Sequence, residues 1–96
     1  MPLHVAALTL ELYLPGCRSL KEKRGSLKPL LAGVHKQYNV SAAEVDFHDS
    51  HTSALVACVV VSNDSAHVQR LLARIPAWLE KRFPQITIVD QEFMFL

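Results

Sequence analysis

The chain has 96 residues, ten Lys and Arg against nine Asp and Glu, and a formal net charge of +1. A chain of this length forms one domain over residues 1–96, because it cannot bury enough surface for two cores. Half of its residues are apolar, which excludes a disordered tail. The charge is too small for the whole molecule to attract nucleic acid, so any basic surface must be local. Two cysteines are too few for a disulfide framework, and we expect a reducing cytoplasm.

The first predicted element is a strand over residues 3–14. It is too short to span a bilayer, which needs about 18 apolar residues, and Glu11 interrupts it, so we expect neither export nor membrane association. Its residues alternate between two faces. One face holds Ala6, Leu8, Leu10, Leu12 and Leu14, and the other holds Val5, Ala7, Thr9, Glu11 and Tyr13.

A helix is predicted next, from an N-cap at Ser19 to about Tyr38, because Glu22 completes a capping box. Pro29 removes one backbone donor and predicts a kink near residues 25 and 26. The helical wheel places five residues in the stripe that should face the core. They are Leu20, Leu27, Leu31, Val34 and Tyr38.

The second half of the chain predicts four further elements. A strand over residues 39–47 changes phase between Ala42 and Ala43, which indicates a bulge. The strand at 54–62 is apolar on both faces, as expected for a central strand. A second helix begins near residues 63–65 and is bent or split at Pro76. Residues 85–96 alternate as a closing strand.

This order of elements predicts an α+β, ferredoxin-like βαββαβ fold, with a four-stranded antiparallel sheet and two helices on one face. The other sheet face would be open and apolar, carrying Val5, Ala7 and Tyr13 beside the third strand. Soluble monomers rarely expose an apolar face of this size to water. We therefore expect a homodimer in which a second copy covers this face.

Three segments carry a resemblance to a known family. "PGCRSLKEKR" follows the first strand, and "NVSAAEVD" and "VVVSND" precede the second helix. Together they resemble the YlxP-like family of small, uncharacterised bacterial proteins, over nearly the whole chain. The resemblance implies a ferredoxin-like fold, and the family has no established catalytic residues to carry over to this chain. Because members are often encoded near translation-initiation and ribosome-maturation proteins, the resemblance also implies a role around ribosomal RNA.

The run "RSLKEKRGSLK" is the candidate RNA-binding segment. Lys21, Arg24 and Lys28 fall within about 60° of the helical wheel, His35 extends their line, and Arg18 precedes the helix. Such a row can contact phosphates along a nucleic-acid backbone. The alternative is a solvated helix flank, which is common for charge runs. No aromatic residue interleaves the run, so base stacking is not indicated.

A second cluster, "DFHDSH", brings Asp46, His48, Asp49 and His51 together in sequence. These are the groups that bind zinc and other divalent ions, although polar turn residues explain the same composition. The three glycines match no phosphate-binding loop, so no nucleotide cofactor is expected.

We thus predict a non-enzymatic homodimer that binds structured RNA or a ribosomal particle. The alternatives are a protein interaction module that uses the open sheet face or a sheet edge, and a metal-dependent enzyme at residues 46–51.

Overall fold

The computed structural model describes residues 2–96 and contains four strands and three helices. Their bounds are β1 His4–Tyr13, α1 Leu20–Tyr38, β2 Ser41–Asp46, β3 Ser53–Ser62, α2 Ser65–Ala73, α3 Ile75–Arg82 and β4 Thr87–Phe95. The strands form one antiparallel sheet in the order β2-β3-β1-β4. The predicted α+β, ferredoxin-like architecture is therefore confirmed.

One face of the sheet is covered by the helices, and this contact forms the core. On β1 the covered face is the predicted one, and on β3 it is the face of Ala54, Val56 and Cys58. The helices contribute the buried residues that pack on this sheet face, which are Leu27, Leu30, Val34, Val68, Leu72, Ile75 and Leu79. Burial of alternate strand residues under amphipathic helices provides most of the favourable free energy of a domain this small.

The boundaries of α1 follow the predicted caps. The Ser19 hydroxyl accepts a hydrogen bond from the Glu22 N–H at 3.1 Å, and the Glu22 carboxylate accepts one from the Arg18 N–H at 3.3 Å. The helix ends where Asn39 adopts a left-handed conformation with φ of 54°. Pro29 lies inside α1, and the helix continues through it without a break.

The second predicted helix is divided into α2 and α3 at Arg74, as expected from Pro76 in the first turn of α3. Asp64 caps α2 by accepting hydrogen bonds from the backbone N–H groups of residues 66 and 67. Trp78 of α3 packs edge-on against Tyr38 and Phe83, with ring centroids 5.8 Å apart in each pair. This cluster joins the end of α1 to α3.

The prediction of which face of α1 is buried is wrong, because the buried face is rotated about the helix axis. Its buried residues are Lys23, Leu27, Leu30 and Val34, whereas Leu20, Leu31 and Tyr38 are only partly buried. The face is turned by about 50° from the predicted stripe. The reason is that Lys23, a residue counted as polar, occupies a core position.

The bulge in β2 is also displaced from its prediction. The register with β3 shifts between Glu44 and Asp46, so the extra residue is Val45, not a residue between Ala42 and Ala43. A similar shift in β4, opposite Glu11 and Leu12, was not predicted. No helix within residues 2–96 is both long enough and apolar enough to cross a membrane.

Candidate nucleic-acid interface

Charge is divided between the two layers of the molecule. All ten Lys and Arg residues belong to the helical layer, since eight lie in helices and Arg18 and Arg74 directly flank them. The strands and the β2–β3 loop contain none, but carry six of the nine acidic residues. The formal charge of +1 therefore hides a basic helical layer and an acidic sheet.

The basic row of α1 consists of Lys21, Arg24 and Lys28. All three side chains are exposed, and they lie on the side of α1 away from the buried residues. The row extends about 10 Å along the helix. Within residues 2–96 the structure contains one ion pair, and it involves none of these three residues. Their charges are thus free to meet an external anion.

Arg18 and His35 lie at the two ends of this row. Arg18 is exposed in the turn before α1, where it adds a cation beside Lys21. His35 is also exposed, but its Nδ1 lies 2.8 Å from the carbonyl oxygen of Val40. One ring nitrogen of His35 is therefore engaged with the turn between α1 and β2.

Lys23 is a buried charged residue that the sequence did not predict. Its side chain is 1% exposed, and its Nζ lies 2.8 Å from the Glu44 carboxylate. It also donates to the carbonyl oxygens of Phe47 at 2.8 Å and Ser53 at 3.1 Å. The two carbonyls accept hydrogen bonds from the ammonium group, and the buried Glu44 Oε2, which has no hydrogen-bond partner within residues 2–96, supplies the opposite charge. Buried in this way, the charge faces the protein interior and is not part of the basic row.

This buried contact fixes the β2–β3 loop. Phe47 begins the loop with φ of 63°, a left-handed conformation that is strained for an aromatic residue. Its carbonyl accepts from Lys23 and from the Ser50 N–H at 3.0 Å, and the Ser50 hydroxyl accepts from the N–H groups of Thr52 and Ser53. α1 is thereby tied to both ends of the loop.

The predicted metal-binding residues lie in and beside this loop. Asp46, His48, Asp49 and His51 are all exposed. The Asp46 carboxylate accepts a hydrogen bond from the Phe47 N–H at 2.7 Å. In residues 2–96 no three or more His, Cys, Asp or Glu side chains stand in an arrangement that could hold a metal ion.

The two cysteines are buried and free. Burial raises the pKa of the Cys58 thiol to about 11, so this group stays neutral at physiological pH. The Cys17 sulfur lies 3.6 Å from the Ser26 hydroxyl oxygen. Neither thiol is presented as a nucleophile at the surface.

The open sheet face carries the residues predicted for the dimer interface. Ala7 is buried, Val5 is partly exposed and Tyr13 is 44% exposed. Val61 and Val59 of β3 lie opposite Val5 and Ala7 in the register. The apolar part of this face is thus at the end of the sheet near residue 5.

Comparison with solved structures defines the class of fold. The chain is similar to the designed protein Foldit4, with 16% identity, coverage of 97% of this chain and 96% of that one, and a TM-score of 0.56. It is also similar to NE2512, a protein of unknown function from Nitrosomonas europaea, with 15% identity, coverage of 99% and 88%, and a TM-score of 0.56. A designed ferredoxin-fold protein, LFR1 1, matches with 9% identity, coverage of 100% and 84%, and a TM-score of 0.52. These similarities show a ferredoxin-like fold.

The family follows from sequence comparison. The model of DUF503, a family of proteins of unknown function, matches residues 5–93. The uncharacterised protein YlxP of Bacillus subtilis (strain 168) is 34% identical over 68 residues, which cover 71% of this chain and 73% of that protein. The chain therefore belongs to the DUF503 family, and the YlxP-like resemblance is confirmed.

Proposed function

We propose that this protein is a non-enzymatic, cytoplasmic RNA-binding protein whose basic row contacts the phosphate backbone. The observation that carries the proposal is the division of charge: the row is exposed and unpaired, while the acidic residues are concentrated in the other layer. A polyanion is attracted to the helical layer and repelled by the sheet.

Lys21, Arg24 and Lys28 are the proposed phosphate contacts, with Arg18 assisting at the start of α1. Cations three and four residues apart on a helix project side by side, so they can follow one strand of a duplex. No aromatic side chain lies among them, which favours recognition of duplex shape over base stacking. A ribosomal particle as the target rests on what the family resemblance implies.

We also propose that the protein is a homodimer joined through the open sheet face, with Val5, Ala7 and Tyr13 in the interface. The support is the exposure of large apolar residues at both ends of this face: Val61, opposite Val5, is 60% exposed, and Tyr13, at the other end of β1, is 44% exposed. Covering such a face removes apolar surface from water. In this arrangement the basic rows of both copies point away from the interface and stay available to RNA.

Co-sedimentation with ribosomal subunits tests the RNA proposal. The variant carries Lys21→Ala, Arg24→Ala and Lys28→Ala, and the matched control carries Arg70→Ala, Lys81→Ala and Arg82→Ala, which remove the same charge from exposed positions of α2 and α3. We expect the first variant to lose most of its sedimentation at low salt and the control to keep most of it. High salt should release the wild-type protein.

Both variants must first be shown to fold by circular dichroism. Equal losses in the two variants would mean that net charge, and not the basic row, drives the interaction. If the first variant sediments as well as the wild type, Lys21, Arg24 and Lys28 do not contact RNA. Binding that persists at high salt would instead favour a protein contact through an apolar surface.

A further inference from the structure

β4 is an unprotected edge of the sheet. It has nine residues and contains no Lys, Arg or Pro, the residues that usually prevent an edge strand from pairing with another chain. The opposite edge, β2, is shorter with six residues and is interrupted by the bulge at Val45. β4 also has a register shift, opposite Glu11 and Leu12, but its residues 90–95 pair with β1 without interruption, so this part of β4 is the longer regular edge and the one that can accept a strand.

The backbone of β4 has hydrogen-bonding groups free for such a partner. The Leu96 N–H donates to the Val5 carbonyl at 2.8 Å, and antiparallel pairing alternates residue by residue. The N–H and C=O groups of Gln91, Phe93 and Phe95 consequently face away from β1. The Gln91 N–H points outward but is occupied by the Asp90 side chain at 2.9 Å, so an added strand would have to replace this contact, whereas within residues 2–96 no such contact occupies the N–H groups of Phe93 and Phe95.

The helix side of this edge is apolar. Phe93 and Phe95 form an edge-to-face pair with centroids 5.1 Å apart, and they are 39% and 47% exposed. Beside Phe93 is a groove of about 320 Å³, whose apolar lining from Leu8, Leu72, Ala73 and Pro76 is joined by the polar side chains of Gln69 and Gln91. An added strand could place alternate apolar side chains against these rings.

The other side of the edge is acidic. Asp90 lies directly opposite Glu11 on the open face, and Glu92 lies one pair further along, opposite Thr9. Like charges opposite each other destabilise a sheet, and no strand carries a Lys or Arg to compensate them. A cation from outside the chain would relieve this repulsion.

We propose that β4 binds an extended, basic polypeptide segment by strand addition. The segment would alternate apolar residues, facing Phe93 and Phe95, with Lys or Arg residues facing Asp90 and Glu92. Charge complementarity distinguishes this partner from the other candidates. Pairing of β4 with a second copy would bring two acidic faces together, and the carboxylates repel nucleic acid. The inference is independent of RNA binding, which uses the opposite layer.

A synthetic peptide that alternates lysine with valine is the probe, and a peptide that alternates glutamate with valine is its control. We expect the lysine peptide to bind the full-length protein and the glutamate peptide not to bind, as measured by fluorescence anisotropy. The double variant Asp90→Lys, Glu92→Lys should bind the lysine peptide at least about tenfold more weakly than the wild type, and it should bind the glutamate peptide. Glu80→Lys, on the exposed surface of α3, should change neither result.

The backbone contact is tested separately. Gln91→Pro removes the outward N–H, which a bound strand would take over from the Asp90 side chain, while leaving the bonds to β1, so it should abolish peptide binding, whereas Gln91→Ala should not. Amide exchange at Phe93 and Phe95 should slow when the lysine peptide is added to wild-type protein. Unchanged exchange, or equal binding by the charge-reversed variant, would overturn the proposal. Self-association that Gln91→Pro abolishes would identify a second copy as the occupant and overturn it as well.

Discussion

Lys23 shows how a charged residue can occupy a core position. An ammonium group loses its hydration when it is buried, and this cost is offset only by well-placed partners. Glu44 supplies the opposite charge, and the carbonyls of Phe47 and Ser53 accept the hydrogen bonds. The contact stabilises the packing of α1 on β2 and holds the loop between β2 and β3.

Lys23→Met should destabilise the fold by about 3 kcal/mol, because it leaves the buried Glu44 carboxylate without its counter-charge and removes one hydrogen bond from each of the Phe47 and Ser53 carbonyls. Urea unfolding followed by circular dichroism measures the change. Lys21→Met, at an exposed position two residues away, is the control and should change stability by less than about 0.5 kcal/mol.

The double variant Lys23→Met, Glu44→Leu distinguishes the loss of the ion pair from the cost of leaving the Glu44 carboxylate unpaired. It should be more stable than Lys23→Met alone, because no unpaired carboxylate is left near the core. Equal stability of the Lys23→Met and Lys21→Met proteins would show that the buried contact contributes nothing to the fold.

The sequence contains Lys23 and Glu44 in two separate segments, and no pattern in it pairs them. Lys23 does continue the spacing of Leu27, Leu30 and Val34 along one helical face, which could have revealed its position. A hydrophobic pattern treats Lys as polar, and its acceptors lie 21 to 30 residues further along the chain. The exposed row was predictable because Lys21, Arg24 and Lys28 need no distant partner.

At the scale of elements, two glycines in α1 provide a matched comparison. A Cβ added at Gly25 would meet nothing within 4 Å, so Gly25→Ala should raise the free energy of unfolding by about 0.5 to 1 kcal/mol. A Cβ at Gly33 would lie 3.0 Å from the Trp78 ring, so Gly33→Ala should gain less or lose stability. Thermal and urea unfolding compare the two. A larger gain at Gly33 would contradict the close packing of α1 on α3.

Most elements were predictable because their signals are local. Ser19 and Glu22 define the start of α1, and Pro76 divides the second helical segment. The bulge at Val45 was misplaced because it depends on how β2 pairs with β3. A strand's register is set by its neighbour, which alternation within one segment does not reveal.

For the whole molecule, the dimer proposal predicts a specific sensitivity to charge on the open face. Val61→Lys should convert the dimer to a monomer, because it places an ammonium group in the proposed apolar interface. Val89→Lys, at a similarly exposed position on β4, is the control and should leave the dimer intact. Analytical ultracentrifugation measures the mass of each. A monomeric wild-type protein, or equal effects of both substitutions, would refute this interface.

The division of charge between helices and sheet is the property on which the RNA proposal depends. It follows from the order of the elements, since every Lys and Arg falls within or beside a helix. In the exposed row, three cations are aligned along one helix, an arrangement that the net charge of +1 does not reveal. The consequence is a thermodynamic one: each phosphate neutralised by the row releases counterions and adds to the salt dependence of binding.

The most direct measurement is the affinity of the protein for a short synthetic RNA duplex, by fluorescence anisotropy, over a range of KCl concentrations. The slope of the logarithm of the association constant against the logarithm of salt concentration should be shallower by about three for the Lys21, Arg24 and Lys28 triple variant than for the wild type. The same slope for both proteins, or no binding of the wild type at low salt, would contradict the account.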